Sequence, residues 1–257
     1  MYNFDINEKN ENLSERFLNI YKNLEKVNNN KGIGSLAEKS LHKTIKFFYE
    51  PDHSFHEIKT GNYVADIKRE NKIIEVQTGS FIKLKEKLDY YFSEDYSVTV
   101  VIPVYSNKRI TIIDPDGEVL SSRMSPVHKN LYSLSKDLYF LKYVKNSRKL
   151  FVDFLYLDVD EIKINSNFRY KNTKRIDIIP NQLMEIVHTG AFDNYESFIP
   201  FGLPYYFSSK EFAYCAGINR KIASYSINFL IGLGKIEYYG RKGREKLYYD
   251  KEIVLYK

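Results

Sequence analysis

The sequence has almost no cysteine, since Cys215 is the only one in 257 residues. A single thiol excludes an intramolecular disulfide and a zinc site built from several cysteines. Because Cys215 lies inside an apolar helical run, we expect it to be a small core residue rather than a nucleophile. Tryptophan is absent, but the chain has 23 tyrosines and 17 phenylalanines. Many of these tyrosines must lie at surfaces or in grooves, where their rings can stack or donate hydrogen bonds.

Long apolar runs are missing as well. No stretch approaches the roughly 18 apolar residues of a membrane-spanning helix. The opening MYNFDINEKNEN is polar and acidic, unlike a signal peptide. We therefore expect a soluble, cytoplasmic protein without a membrane partner. The formal net charge is +6, which favours a polyanionic partner such as DNA, although lysine-rich surfaces also serve solubility alone.

Apolar periodicity predicts an α/β fold. Helical spacing indicates helices over about 12–28 and 34–49, and alternation indicates strands at about 55–60, 63–69 and 72–77. A helix capped by Ser80 and a buried strand at 97–105 follow, then a hairpin around DPDG, a helix over 133–146 and the long strand LFVDFLYLDVDEIKI. The polar, basic NSNFRYKNTKR is typical of a loop or linker. We therefore predict two domains, residues 1–165 and 166–257.

The end of the chain has its own organisation. Ser208 and Glu211 form the pattern of a capping box that opens a short helix. A second helix is predicted from Asn219 to Gly232, and the strands KIEYY and KLYYD flank the basic turn GRKGR. Helix, turn, helix and basic hairpin indicate a winged helix-turn-helix, which binds either DNA or protein. If it binds DNA, we expect base contacts from Arg220, Lys221, Ser224 and Tyr225, and phosphate contacts from Arg241, Lys242 and Arg244.

The hairpin YVADIKRENKIIEVQTGS carries two acidic residues where folding alone would not favour them. A turn centred on Glu70 and Asn71 pairs residues whose numbers sum to 141, so Asp66 faces Glu75. Like charges directly opposite destabilise a strand pair, and a buried unpaired carboxylate is costly. A divalent cation would compensate for both. With Glu38 on the preceding helix, three carboxylates suit Mg²⁺ or Mn²⁺. The alternative is an exposed hairpin face with solvated charges.

The segments GIGSLAEKSLHKTI and ADIKRENKIIEVQ resemble the core of the PD-(D/E)xK nuclease superfamily, which includes restriction endonucleases and Holliday-junction resolvases. The predicted order αβββαβ, a mixed sheet flanked by helices, is also that of the superfamily. The resemblance implies that Glu38, Asp66 and Glu75 bind metal, with the Val76 carbonyl as a further ligand. Two positions differ from its pattern: Ala65 stands where a proline is usual, and Gln77 replaces the usual lysine. Some active members of the superfamily also carry glutamine there.

A neutral amide at Gln77 can orient water or phosphate but cannot supply positive charge. Lys68, two residues after Asp66 on the same strand face, could supply it. His42, one turn after Glu38, either lines the cleft or simply packs. The sequence thus predicts a Mg²⁺-dependent DNA endonuclease, with a winged helix holding the duplex. A non-cleaving nucleic-acid-binding or regulatory protein and a protein-interaction module remain open alternatives, as does a homodimer that cuts both strands.

Overall fold

The computed structural model describes residues 10–28, 37–79, 81–139, 149–165, 173–189 and 198–251. The protein has a mixed α/β fold with a large sheet and helices packed against it. The chain forms two compact units. The first comprises Met1–Thr78, Thr99–His128 and Asp153–Val187, and the second comprises Gly79–Val98, Lys129–Val152 and His188–Lys257.

The elements follow the predicted order closely. The helices are α1 (Asn10–Asn28), α2 (Ala37–Tyr49), α3 (Ile82–Ser93), α4 (Ser135–Leu138), α5 (Ser209–Cys215) and α6 (Arg220–Gly232). The strands are β1 (His56–Thr60), β2 (Tyr63–Arg69), β3 (Lys72–Val76), β4 (Ser97–Ile113), β5 (Val119–Met124), β6 (Leu150–Asn165), β7 (Thr173–His188), β8 (Phe207–Ser208), β9 (Ile236–Lys242) and β10 (Glu245–Asp250). From α2 to β4 this is the predicted αβββαβ order.

Some boundaries differ from the prediction. The helix expected over 133–146 is a 3₁₀ turn, Leu131–Leu134, followed by the short α4, and residues 140–148 lie outside the described residues. Ser80, the predicted cap of α3, also lies outside them. None of the helices within the described ranges is long and apolar enough to cross a membrane.

The large sheet has seven strands in the order β1-β2-β3-β4-β6-β7, and β5 pairs with β4. β1, β2 and β3 form successive antiparallel hairpins. β4 continues past the predicted end at residue 105 to pair with β5, and the DPDG segment turns the chain between them. This arrangement confirms the predicted hairpin.

Strand β7 was not predicted. The loop expected over the segment NSNFRYKNTKR is wrong at its C-terminal end, because residues 173–175 already belong to β7. Pro180 and Asp177 interrupt the strand pattern, because proline cannot donate to a ladder and aspartate disfavours strands. β7 comes last in the strand order, at the sheet edge where proline is tolerated. The predicted domain boundary falls at residues 165 and 166, and 166–172 lie outside the described residues, so the boundary stays a prediction.

The core of the first unit lies between helices α1 and α2 and one face of the sheet, which we call the α2 face. Phe17 of α1 and Phe48 of α2 meet edge to face, with ring centroids 5.3 Å apart. The strand residues of this core include Ile67, Val76 and Val101. Truncating a buried phenylalanine such as Phe48 to alanine costs about 3–5 kcal/mol, so this packing fixes α2 on the sheet.

The second unit contains the helices and hairpin predicted at the end of the chain. The capping box is present: Glu211 N–H donates to Ser208 Oγ at 3.4 Å, and Ser208 N–H donates to Glu211 Oε2 at 2.6 Å. Asn219 caps α6, and its Oδ1 accepts from Ile222 N–H at 3.0 Å. Strands β8, β10 and β9 form a small sheet. Cys215 ends α5 and is only half-buried, so the expectation of a core residue was wrong.

Candidate functional site

The register of the β2–β3 hairpin is the predicted one. Its pairs are Ile67 with Ile74, Lys68 with Ile73, and Arg69 with Lys72, and each pair sums to 141. The turn residue Glu70 has φ +52°. One further step in this register brings Asp66 opposite Glu75.

At that step, the acceptor of a β3 backbone N–H is the Asp66 side chain and not a backbone carbonyl of β2. Val76 N–H donates to Asp66 Oδ2 at 2.8 Å, whereas the register alone would place Val76 opposite Ala65. The Asp66 carboxylate, which extends from the middle of β2, therefore lies beside Val76, the last residue of β3. Its side chain is 20% exposed, so the carboxylate is held in a fixed orientation and is still accessible from solvent.

Helix α2 directs a row of polar residues at this point. His42 Nε2 lies 3.3 Å from Asp66 Oδ2. One turn later, Lys46 Nζ donates to Glu57 Oε1 at 2.8 Å. Residues four apart share a helix face, and Glu38 occupies the preceding position of the same row. The backbone of Glu38 belongs to α2, but its side chain lies outside the described residues.

Glu57 is the residue of β1 that faces Asp66. The neighbouring pairs are His56 with Ile67 and Ile58 with Ala65, so the same register brings Glu57 opposite Asp66. Glu57 has φ +53°, which is uncommon for a non-glycine residue and costs on the order of 1–3 kcal/mol. Strict alternation would direct Glu57 and Asp66 away from the α2 face. Both nevertheless contact side chains of α2, because the strand is distorted here.

Glu57 lies between a positive and a negative neighbour, Lys46 and Asp66. The Lys46 side chain is only 6% exposed, while that of Glu57 is 70% exposed. The hydrogen bond from Lys46 and the positive charge of Lys46 hold the pKa of Glu57 below its usual value, and the negative charge of Asp66 opposes them. Glu57 is therefore a carboxylate at neutral pH. Lys46 and Glu57 were not among the predicted site residues. The four-residue spacing from Glu38 through His42 to Lys46 was the signal available for Lys46.

The other predicted residues of the hairpin lie close by along β2 and β3. Glu75 is 4% exposed and shares with Ile73 the face away from α2. Lys68 and Gln77 are half-buried, and Gln77 N–H donates to the Val101 carbonyl at 2.8 Å. Within the described ranges, no three Asp, Glu, His or Cys side chains are close enough to hold a metal ion. The predicted set includes Glu38, so the metal site stays a prediction.

The predicted DNA-contacting residues of α6 and the hairpin lie mostly at the surface. Arg220, Lys221 and Ser224 are exposed, whereas Tyr225 is half-buried. Arg220 pairs with Glu245, with 3.3 Å between Nη2 and Oε1. A cleft of about 330 Å³ lies here, and its lining includes Ser209, Arg220, Ser224, Arg244, Glu245 and Lys246.

The hairpin itself is basic. Arg241 and Lys242 belong to β9, and Arg244 follows Gly243 in the turn, where Gly243 has φ +61°. All three basic side chains are exposed. The turn is thus shorter than the predicted GRKGR, and two of the three expected phosphate contacts extend from a strand.

The part of the chain that forms the large sheet is similar to known proteins. Residues 39–193 match a family described as "Domain of unknown function (DUF8091)", and this range contains all seven strands of that sheet and the residues from His42 to Gln77. An uncharacterized protein of Treponema pallidum (strain Nichols) is similar to the chain, with 24% identity over 221 residues, 84% of this chain and 86% of that protein. No solved structure matches. Since the family match spans more than half of the sequence, the chain belongs to the DUF8091 family.

Proposed function

We propose that the chain is a Mg²⁺- or Mn²⁺-dependent endonuclease that hydrolyses DNA phosphodiester bonds. Its α/β domain would have the restriction-endonuclease-like fold, and its last elements would be a winged helix that holds the duplex. One observation carries the proposal: the accessible Asp66 carboxylate lies beside the end of β3, fixed by Val76 N–H and next to His42 of α2. Such a carboxylate is oriented before any ligand arrives, as catalysis requires.

The donor set fits a hard divalent cation. Asp66 and Glu38 would offer carboxylate oxygens from the α2 side, and Val76 would add its carbonyl. Glu75 lies on the face away from α2, so it would join this set only by turning its side chain towards Asp66. Mg²⁺ takes one or two carboxylates and shares the rest of its coordination with water and phosphate. The cation, when bound, would polarise the scissile phosphate and activate a water.

Lys46 of α2 would supply the positive charge towards the phosphate that the neutral Gln77 cannot supply. Lys46 is almost buried, next to Glu57, and Glu57 faces Asp66. A cation in a poorly solvated position stabilises developing phosphate charge more strongly than an exposed one. Lys68 on β2 would assist from the strand, and Gln77 would orient water or a phosphate oxygen. His42 would hold the Asp66 carboxylate in place, as residues behind metal ligands commonly do.

The experiment is a cleavage assay on labelled duplex, flap and junction DNA with Mg²⁺ or Mn²⁺. Asp66→Asn keeps an oxygen that can accept from Val76 N–H but removes the charge, so the fold should survive while cleavage falls at least about 100-fold. Glu75→Gln should likewise keep the fold and lose cleavage activity. Asp116→Asn, in the exposed β4–β5 turn, is the matched control and should cleave normally. Full activity of Asp66→Asn would refute the site.

The second candidate is a non-cleaving DNA-binding or regulatory protein on the same scaffold, favoured by the neutral Gln77. It predicts salt-dependent DNA binding and no nicking with either metal. The same assay therefore separates the two candidates in the wild-type protein.

A further inference from the structure

Tyrosine rings collect beside the β9–β10 hairpin. Tyr206 and Tyr239 overlap, with ring centroids 4.0 Å apart and planes inclined by 31°. Tyr205 meets Tyr206 edge to face at 4.6 Å, and Tyr249 lies 6.5 Å from Tyr206 and from Tyr239. We call these four residues the tyrosine platform.

The platform lies at the surface. Tyr206 is 40% exposed and Tyr239 57% exposed. Tyr249 Oη donates to Glu237 Oε2 at 2.6 Å, and Lys251 Nζ lies 2.8 Å from Glu237 Oε1. The rings therefore pack against each other at the surface, where they present flat, amphipathic area to solvent.

Cations flank the platform along the same hairpin. Arg241 follows Tyr239 by two residues on β9, a distance of about 7 Å at the usual rise of a strand. Lys242 and Arg244 come next, and all three are exposed. Residues 235–251 include six basic residues and only three acidic ones, so the segment carries a net positive charge. Flat rings beside positive charge are the features that bind unpaired bases and their phosphates.

We propose that the tyrosine platform stacks unpaired bases of a single-stranded nucleic acid segment, while Arg241, Lys242 and Arg244 bind its phosphates. The inference rests on the proposed function in taking nucleic acid as the ligand, and it narrows the substrate class. DNA with an unpaired strand next to a duplex, such as a flap, fork or junction, would be bound more tightly than blunt duplex.

The test measures fluorescence anisotropy of a labelled oligothymidylate and of a blunt duplex without divalent metal, so that cleavage plays no part. Tyr206→Leu and Tyr239→Leu should each weaken binding of the single strand by about 5- to 150-fold, the effect of losing one stacked base. Tyr206→Phe and Tyr239→Phe keep the ring and should bind within about twofold of wild type. Tyr214→Leu is the matched control, because Tyr214 is 88% exposed on α5 and outside the platform.

Salt dependence separates the two kinds of contact. Arg241→Gln and Lys242→Gln should each reduce the slope of log K against log salt by about 0.7 for a single strand. The tyrosine variants should leave that slope unchanged, since stacking releases no counterions.

Leucine variants that bind the oligonucleotide like wild type would overturn the inference, as would a wild-type preference for blunt duplex. In both cases duplex binding and the cleavage proposal would stand. A protein that binds neither form of DNA would overturn this inference together with the DNA-holding role of the winged helix.

Discussion

His42 of helix α2 and Asp66 of strand β2 meet with 3.3 Å between Nε2 and Oδ2, although 24 positions separate them in the chain. The contact ties the helix to the carboxylate on which the proposed chemistry depends. Because Val76 N–H donates to the same oxygen, Asp66 is held from two sides.

His42→Ala should raise the Mg²⁺ concentration needed for half-maximal cleavage by about 10- to 100-fold, the usual effect of losing a residue that orients a metal ligand. Its maximal rate at saturating metal should change less. His42→Gln, which retains a polar group able to reach Asp66, should recover part of the loss. Metal titration of the cleavage rate provides the measurement, and an unchanged metal requirement in His42→Ala would contradict the orienting role.

Lys46→Met should lower cleavage by about 100-fold or more while Tm changes by only a few degrees. Methionine fills a similar volume without a buried charge, and Glu57 stays solvated because it is largely exposed. The proposed stabilisation of phosphate charge is lost, however. Lys46→Arg keeps the charge and should retain more activity. Equal activities of Lys46→Met and wild type would show that the charge acts only in folding.

Glu57→Gly should be more stable than Glu57→Ala by about 1 kcal/mol or more, because only glycine adopts φ +53° without strain. Both variants remove the partner of Lys46, so that loss cancels in the comparison. Urea unfolding of the two proteins measures the difference. Equal stabilities would mean that Glu57 is not strained in the native state.

Asp177→Asn should stabilise the protein at neutral pH and raise Tm by a few degrees. Burial raises the pKa of Asp177, and burial together with the charge of Asp177 raises the pKa of Glu25. For such acids the folded state favours the protonated form, so stability falls as pH rises through the folded pKa. Asparagine can still accept from Ser40 Oγ and Ile178 N–H, which donate to Asp177 Oδ1 at 3.0 and 2.7 Å.

The advantage of Asp177→Asn should shrink as pH falls towards about 4, where the unfolded carboxyl also binds its proton. Thermal unfolding from acid to neutral pH tests this. A constant difference in Tm at all pH values would exclude the ionisation of Asp177 as its cause.

Glu245→Gln should strengthen duplex binding, because Arg220 loses its acidic partner and phosphate no longer meets a negative charge beside it. If Arg220 then contacts a phosphate, the salt slope should steepen by about 0.9. Anisotropy across a salt series measures both effects. Glu118→Gln, at an exposed position in the β4–β5 turn, serves as the control, and an identical slope in Glu245→Gln would argue against Arg220 as a phosphate contact.

The sequence predicted those features that depend on neighbouring residues. Glu70 and Asn71 determined the hairpin register, and Ser208 with Glu211 marked the start of α5. Strand β7 could not be predicted in this way, because its place in the sheet depends on pairing with β6 rather than on its own interrupted pattern. Asp66 was found from its position opposite Glu75. The hydrogen bond between Lys46 and Glu57 could not be predicted, because it depends on a backbone distortion in β1 that no residue type indicates.

The backbone amide of Val76 can serve as an NMR probe of the Asp66 carboxylate. Its hydrogen bond goes to a titratable side chain of the neighbouring strand rather than to a backbone carbonyl, so the proton on this nitrogen senses the state of the carboxylate directly. Its NMR chemical shift and its hydrogen-exchange rate should change when a cation is added to the folded protein. A single backbone resonance would thus report metal occupancy without any substrate being added.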